Sequence, residues 1–365
     1  MAVTSLERLL GMRTLAGLVE VFAREEANSR AAVQLFEQGA TRLDPLVDGS
    51  FEWDEISFGR HLAPVQGRGA PSITVTPLNK VVRSSAPANV GPVSVFIPAH
   101  RLHSQRGDGE LLPNAPAVVA REMRNMAKLL GNTKEYLAMR ALFGTVTVSA
   151  ATIPGTTAPF TLSFGLNTGT ATSSWATAST PIVSSELTNM KLDYMQAIGM
   201  NGRIALTTQT VVDYLRGNSQ ILNLLQQTYG QQLARSAAEL FSQSALEGLE
   251  LGGLNWRVTE EGYVPEGGSF TRYIPATDKV AILPEVSALG DVLGQAEAYG
   301  LVPALGGDVL AAEGAAFATR MAPGRGMYAY AVRTVDPLGV KIIMGWTGIY
   351  VILTPNGILV WDVVP

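Results

Sequence analysis

The sequence contains no cysteine, and this absence removes several kinds of chemistry. A chain without thiols forms no disulfides, no thiolate metal sites and no cysteine nucleophiles. Charged residues are also scarce, at 16% of the chain against 47% hydrophobic residues. This composition is more apolar than that of an average soluble domain, and it favours a protein that buries much of its surface against copies of itself.

Basic runs and long apolar runs are missing as well. The net charge of −4, without clusters of Lys or Arg, argues against a dedicated nucleic-acid-binding protein. No stretch of about 18 uninterrupted apolar residues occurs, so no membrane span is predicted. Charged residues interrupt the apolar N-terminus, which we therefore do not interpret as a signal peptide. We expect a soluble protein made in the cytosol.

Motifs that would indicate catalysis or metal binding are not found. The sequence has neither a phosphate-binding G-x-x-x-x-G-K-[ST] loop nor a G-x-S-x-G nucleophile elbow. His100 and His103 are three residues apart, but they lie in an irregular stretch without an obvious third ligand. Asp54 and Glu55 are neighbours on a predicted strand and point to opposite faces, a poor geometry for an acid–base pair. We predict no enzymatic activity, no cofactor and no metal.

The longest periodic segment covers residues 114–143. Apolar residues such as Val119, Met123 and Met126 recur at steps of three and four, which predicts a helix. At about 1.5 Å per residue, thirty residues make a rod of roughly 45 Å. Gly131 is unfavourable inside a helix, so we expect a bend or a short break there.

The N-terminal segment, residues 4–38, is also predicted to be helical. Gly11 and Gly17 weaken a continuous helix, so two shorter helices are expected. The helices either pack on the core of their own chain or lie as an arm on a neighbouring subunit. The pattern does not decide between these two interpretations.

Two strands at 51–58 and 72–83, with a Gly- and Pro-rich turn at 67–71, predict a long β-hairpin. Each arm of some fifteen residues reaches roughly 50 Å at about 3.3 Å per residue. The hairpin has few apolar residues, and an isolated hairpin is only marginally stable in water. We therefore expect it to lie on another surface, such as that of a neighbouring subunit.

The remaining segments alternate between helix and strand. A β-hairpin is predicted at 145–151 and 160–164, and a shift in composition near 181 suggests a second domain. Residues 279–284 read as a buried strand, with 272–275 expected to pair in the same sheet. Three strand regions close the chain, at 327–334, 340–347 and 350–363.

The order of these parts, together with four stretches of sequence, resembles a known family. The stretches are FEWDEISFGRHLAPV and its Gly-rich tip (51–70), KLLGNTKEYLAMRALFGTVTV (128–148), RYIPATDKVAILP (272–284) and the DPLG turn (336–339). They resemble the major capsid protein of tailed bacteriophages, specifically the lambda-type major head protein family, which has the α+β HK-97-like fold.

The resemblance implies a division of the chain and a set of contacts between subunits. The parts are an N-terminal arm (1–50), an extended loop (51–85), a peripheral domain with the spine helix (86–180), an axial domain (181–326) and C-terminal strands of the peripheral domain (327–365). Contacts between subunits are expected in the extended loop and its tip, at Trp53, Asp54, Ile56, Phe58, Arg60, Gly67, Arg68, Gly69 and Lys80. Contacts are expected in the arm at Leu15, Leu18 and Phe22.

The function implied by the resemblance is structural. Copies of the chain would self-assemble into hexamers and pentamers of an icosahedral shell around double-stranded phage DNA, with non-specific contact to the DNA and no contact with a membrane. Maturation would be a shift between two packings of the same parts. A separate scaffolding protein is expected, because only about 50 residues precede the hairpin, and further expected partners are a portal and a decoration protein. The protein would be assembled in the host cytoplasm and end in the virion.

Some alternatives stay open. Some relatives join a Lys on the loop to an Asn on a neighbour, and Lys80 and Asn356 are the residues here that could do so. A solvated Lys and a turn Asn account for the same residues. Other candidate functions are a decoration or tail-tube subunit, or an enzyme with a site in the 181–326 domain.

Overall fold

The computed structural model has an α+β fold and describes residues 12–43, 50–57, 80–87, 90–102, 104–105, 111–112, 115–153, 156, 159–223, 249–265, 268–297, 327–335 and 337–365. Its helices are α1 (Met12–Asn28), α2 (Ala31–Gly39), α3 (Ala99–Leu102), α4 (Ala115–Leu142), α5 (Leu187–Ile198), α6 (Gln209–Gly217) and α7 (Leu289–Val292).

The strands in the first half of the chain are β1 (Thr41–Leu43), β2 (Ser50–Ser57), β3 (Lys80–Pro87), β4 (Val90–Pro98), β5 (Ser104–Gln105), β6 (Leu111–Leu112), β7 (Thr145–Val148), β8 (Phe160–Ser163) and β9 (Asn167–Thr170). Those in the second half are β10 (Ile204–Thr207), β11 (Leu249–Leu251), β12 (Leu254–Val258), β13 (Gly262–Tyr263), β14 (Thr271–Arg272), β15 (Lys279–Leu283), β16 (Leu293–Glu297), β17 (Met327–Val335), β18 (Leu338–Trp346), β19 (Gly348–Ile352) and β20 (Leu359–Asp362).

The predicted long helix is confirmed as α4, which ends just before Gly144, a residue in the left-handed conformation at φ 96°. The expected break at Gly131 is wrong, because the helix runs through this position without interruption. Gly131 is buried against α1, and a Cβ atom there would lie 2.8 Å from the Glu26 carboxylate. The glycine therefore allows two helices to approach closely instead of breaking one of them.

The N-terminal segment forms two helices, as expected, but they separate at Ser29 and Arg30 instead of at a glycine. Gly17 lies inside α1. Both helices pack on α4 and contribute Val19, Phe36 and other apolar side chains to one large core. The first of the two interpretations, packing on the core of the same chain, therefore holds for α1 and α2.

A six-stranded mixed sheet, in the order β11-β12-β10-β15-β20-β9, lies between two apolar cores. Side chains alternate between its faces, as the strand period requires. Ile204 and Leu206 face the core shared with α4, which we call the first core. Ala205 between them faces a second core, which the sheet forms with α5 and α6.

The C-terminal strands divide between three sheets. β18 pairs with β17 on one side and with β4 on the other, and β19 pairs with β16, which in turn pairs with β1. β20 joins the six-stranded sheet beside β15 and β9. Strands from 144–180 and 327–365, assigned by sequence to the peripheral domain, thus share one sheet with strands from 181–326, assigned to the axial domain.

Residues 272–275 do not pair with the buried strand at 279–284. Thr271 and Arg272 form β14, which pairs with β13 in a separate two-stranded ribbon. β15 pairs instead with β10 and β20. The neighbouring strand positions are therefore supplied by segments far apart in sequence, which local spacing does not reveal.

Candidate functional site

The base of the predicted extended loop is a regular antiparallel ladder. β2 and β3 pair from Ser50↔Pro87 to Ser57↔Lys80. The intervening residues 58–79 lie outside the described part of the chain, and with them the predicted contact residues Phe58, Arg60, Gly67, Arg68 and Gly69.

The ladder docks on its own chain through one face. Phe51 and Trp53, two residues apart, are 0% and 3% exposed, and the Trp53 ring centroid lies 6.5 Å from that of Phe164. Farther along, the backbone N–H of Ile56 donates to the carbonyl of Leu353 at 2.7 Å. The side chain of Trp53 is therefore covered by its own chain, and its contact with a neighbouring subunit stays a prediction.

The opposite face of the ladder is polar. Asp54 is exposed and accepts a weak, 3.5 Å hydrogen bond from Arg83, an exposed pair worth little to stability. The other polar pair, in which Ser84 donates to Glu55 at 2.9 Å, lies on the Trp53 face, because Ser84 is opposite Trp53 in the ladder and Glu55 is two residues farther along β2. Lys80 pairs in the ladder through its backbone, but its side chain lies outside the described residues. The outward face thus stays solvated, as the alternation in the sequence indicates.

Asn356 lies in a short turn, Pro355–Gly357, against which β2 packs. Its side chain is half-buried, and its backbone carbonyl accepts a hydrogen bond from Asn167 at 3.4 Å. The cross-link between Lys80 and Asn356 stays a prediction.

The arm residues face inward where their side chains are described. Phe22 is 3% exposed in the first core, and the guanidinium of Arg124 on α4 lies 4.9 Å from its ring centroid. Leu18 is partly buried against the same core, and the side chain of Leu15 lies outside the described residues. Phe22 is therefore covered by its own chain, and the contacts of Leu15, Leu18 and Phe22 with a neighbouring subunit stay predictions.

Two adjacent charged residues of α4, Lys134 and Glu135, hold the N-terminal helices. Lys134 is 3% exposed; its ammonium lies 3.3 Å from Glu297 and 3.9 Å from Glu37 on α2. The ammonium also lies 5.0 Å from the ring centroid of Trp346, whose indole N–H donates to Glu297 at 2.8 Å. Buried charges need such partners, because an unpaired one would be strongly destabilising.

Glu135 is fully buried, and its two carboxylate oxygens accept the backbone N–H groups of Ala32 and Val33 at 2.9 Å each. Burial raises the pKa of Glu135 to about 7, against the lowering effect of these two hydrogen bonds. Sequence reasoning missed both charged residues. The sequence did contain one sign that they are buried: the helical residues that follow them, 136–142, are apolar or aromatic except for Arg140.

A cavity of about 460 Å³ lies between the turn that joins α1 to α2 and the segment from β12 to β13. Polar residues dominate its lining, among them Arg30, Gln34, Thr259 and Glu261. In the described part of the chain, no group of three or more His, Asp or Glu residues is placed to hold a metal ion. Among the described helices none combines the length and apolar character that crossing a bilayer requires.

Several large apolar side chains stay exposed on the single chain. They include Val21 on α1, Leu129 on α4, Val264 and Phe270 beside the β13–β14 ribbon, and Leu338 at the start of β18. Scattered exposed apolar residues are normal on any protein surface, so they define no contact by themselves.

Comparisons with known proteins identify the fold and the family. A search of curated proteins found no match. Among solved structures, a crystal structure of a protein assigned as a prophage capsid protein from E. coli CFT073 is similar, with 12% identity, a TM-score of 0.57, and coverage of 95% of this chain and 98% of that chain.

Two further structures show weaker similarity. The capsid of cyanophage P-SCSP1u has 11% identity and a TM-score of 0.47, covering 90% of this chain and 87% of that chain. The structure of Mycobacterium phage Che8 has 12% identity and a TM-score of 0.47, covering 91% of this chain and 90% of that chain. Of these three structures, the prophage protein, whose TM-score exceeds 0.5, shows the fold of this chain.

The family model of phage major capsid protein E matches residues 18–344. This match covers most of the chain, including the ladder base, α4 and the six-stranded sheet. It confirms the predicted family and α+β fold, and it decides against a decoration or tail-tube subunit. The chain belongs to the phage major capsid protein E family: it is a structural major capsid protein with the HK97-like fold, a component of the virion that assembles with copies of itself into a shell.

Proposed function

We propose that copies of this chain form hexamers and pentamers that close into an icosahedral shell around double-stranded DNA, and that the β2–β3 hairpin covers the neighbouring subunit. The observation that carries the proposal is the geometry of the ladder. Its base is fixed to its own chain by Phe51 and Trp53, and its pairing continues to Ser57↔Lys80. A paired ribbon leaving a fixed base is suited to reach a second subunit.

The reach of the ribbon supports this role. Residues 58–79 comprise two arms of eleven residues, which span roughly 35 Å when extended at about 3.3 Å per residue. The eight-pair base adds roughly 26 Å at the same rise, so a fully extended hairpin would reach roughly 60 Å from its fixed end. In this proposal the contacts with a neighbour are made by Asp54, Ile56, Phe58, Arg60, Gly67, Arg68, Gly69 and Lys80.

We also propose the division into a peripheral domain (86–180 and 327–365) and an axial domain (181–326) that meets its copies at the capsomer axis. Pairing of β9 and β20 with β15 and β10 makes the join between these ranges a continuous sheet. Such a join would transmit a change in packing at the axis to the periphery of the subunit.

The proposed role is structural and not enzymatic. The proposed partners are a separate scaffolding protein, a portal, a decoration protein, and DNA bound without sequence specificity. The negative net charge of the chain indicates that this contact with the DNA is weak, because sequence-independent binding of high affinity requires many basic contacts. Assembly is proposed to take place in the host cytoplasm.

Replacing residues 58–79 by Asn-Gly tests the proposal. Ser57 and Lys80 are already paired, and Asn-Gly closes such a pair with a type I′ turn. We expect a subunit with an unchanged guanidinium midpoint that forms no shells in electron micrographs. Glu52→Ala, which changes only the exposed face of the base and none of the proposed contact residues, is the control and should still form shells. Normal shells from the shortened chain would refute the proposed role of the hairpin.

A further inference from the structure

The N-terminus of α2 is held by a side chain of another helix. Arg30, which precedes α2, makes no side-chain capping bond. The free N–H groups of Ala32 and Val33 donate instead to the two oxygens of Glu135, at 2.9 Å each. Unpaired N–H groups and the helix dipole make this end of α2 a favourable place for a carboxylate. Glu135 therefore fastens α2 to α4.

A second connection lies beside the first. The guanidinium of Arg30 donates to Glu26 at 3.2 Å, to Asn132 of α4 at 2.5 Å and to Glu261 at 3.2 Å. These bonds join the α1–α2 turn to α4 and to the segment that leads into β13. Among the described residues of this cluster, three carboxyl groups (Glu26, Glu135 and Glu261) face one guanidinium.

This imbalance of charge has a consequence for protonation. With all three carboxyl groups ionised, the buried cluster would carry a net charge of −2, which the low-dielectric interior disfavours. Glu135 is the carboxyl that is fully buried. Burial, helped by the charge of Glu261, raises the pKa of Glu135 to about 7 against the lowering effects of the Ala32 and Val33 N–H groups and of Arg30.

The cluster is also incompletely hydrogen-bonded. Among the described residues, the Nε of Arg30 and the hydroxyl of Tyr273 are buried without a hydrogen-bond partner. Tyr273 interacts electrostatically with Glu135, Glu261 and Arg30, and its ring stacks on that of Tyr263 at 6.2 Å. A partly satisfied polar network gives up less when it opens than a fully satisfied one.

Water has a place from which to enter. The cavity of about 460 Å³ is lined by both Arg30 and Glu261, along with Ser29, Gln34 and Arg257. A polar cavity of this size holds several water molecules. Separation of α2 from α4 on this side would expose Glu135 to solvent without displacing the strands of the sheets.

We propose that Glu135, Arg30 and Glu261 form a proton-operated latch, which holds α1 and α2 on the long helix α4 while Glu135 is protonated and loosens as Glu135 ionises. The ionised carboxylate accepts hydrogen bonds from the two N–H groups more strongly than the neutral acid does. Contact with water, however, stabilises the ionised form more than these two hydrogen bonds do. The latch lies within one chain, so it does not depend on the proposed architecture of the shell.

The direction and size of the effect follow from the two protonation equilibria. In the open state Glu135 has its ordinary pKa of 4.5, and in the closed state a pKa of about 7. The closed state therefore has its full advantage below pH 4.5 and loses it as the pH rises through 7. The equilibrium constant for opening should rise on the order of 100-fold between pH 5 and pH 8.

Hydrogen exchange of the full-length protein, followed by mass spectrometry of a peptide covering 31–37, tests the latch. Rates divided by the intrinsic exchange rate at each pH give the opening constant. We expect the rise of about 100-fold for the wild type, and a flat profile for Glu135→Gln, which cannot ionise. A flat wild-type profile, or a wild-type slope in Glu135→Gln, would overturn the proposal.

Two further variants sharpen the test. Glu186 is a matched control, because it is also buried and accepts two backbone N–H groups, those of Thr172 and Ser173 at 3.0 and 3.2 Å. Glu186→Gln should leave the profile of 31–37 unchanged. Glu261→Gln, at a partly exposed position, removes the like charge and should move the midpoint to lower pH. An unmoved or higher midpoint would overturn the proposal even if Glu135→Gln does not fold.

Discussion

Removing the buried ammonium of Lys134 should lower the free energy of unfolding of the subunit by more than the loss of an exposed ion pair does. In Lys134→Met, the carboxylates of Glu297 and Glu37, both 9% exposed, lose a cation at 3.3 and 3.9 Å. Breaking a buried pair by removing one partner costs about 3–5 kcal/mol, because the remaining charge is left without compensation. The unfolding constant should therefore rise by between roughly 100-fold and a few thousand-fold.

Guanidinium denaturation of the unassembled subunit, followed by circular dichroism, measures this cost as a lower midpoint at constant slope. The matched control is Arg24→Ala, which breaks a pair with Glu20 whose side chains are 64% and 50% exposed. This exposed pair should contribute at most about 0.5 kcal/mol.

A double variant separates the ion pair from simple loss of packing. If the cost arises from the uncompensated charge, Lys134→Met combined with Glu297→Gln should be more stable than Lys134→Met alone. The reasoning fails if Lys134→Met lowers the midpoint no more than Arg24→Ala does, or if the double variant shows no recovery.

Two other substitutions test packing by the same denaturation assay. A Cβ atom at Gly169 would lie 2.4 Å from the buried ring of Trp361, so Gly169→Ala should lower the free energy of unfolding by about 1–3 kcal/mol. The control, Gly217→Ala, places its Cβ atom where no other atom lies within 4 Å and should leave the free energy of unfolding unchanged. Equal effects of the two substitutions would contradict the close approach of Gly169 to Trp361. Trp53→Ala should lower the free energy of unfolding by about 3–5 kcal/mol, because the ring fills the chain's own core. Asp54→Ala, at an exposed position, should change it by less than about 0.5 kcal/mol. No loss of stability in Trp53→Ala would show that the ring is not part of the core.

The hairpin shows how far local pattern predicts a site. Alternation of apolar and polar residues over 51–58 predicted the strand and its polar face, and the ladder confirms the strand over Ser50–Ser57. The same alternation predicted that Phe51 and Trp53 share a face. It did not reveal what covers that face, because Phe164 and the end of β19 reach the hairpin from distant parts of the chain.

The sequence by itself determined the elements whose causes are local. The three-and-four spacing over 114–143 specified the long helix, and the run KVAIL specified β15, since side-chain periodicity follows from backbone geometry alone. The order of such elements, together with four stretches of sequence, predicted the capsid family.

Only the tertiary structure decided which elements meet. Glu135 binds backbone groups 103 and 102 residues away, and Lys134 reaches Glu297 across 163 residues. Spacing within a helix indicates which face is apolar, but it does not indicate which other element covers this face. Two adjacent charges on α4 therefore read as ordinary solvated residues until the fold brings the N-terminal helices over them.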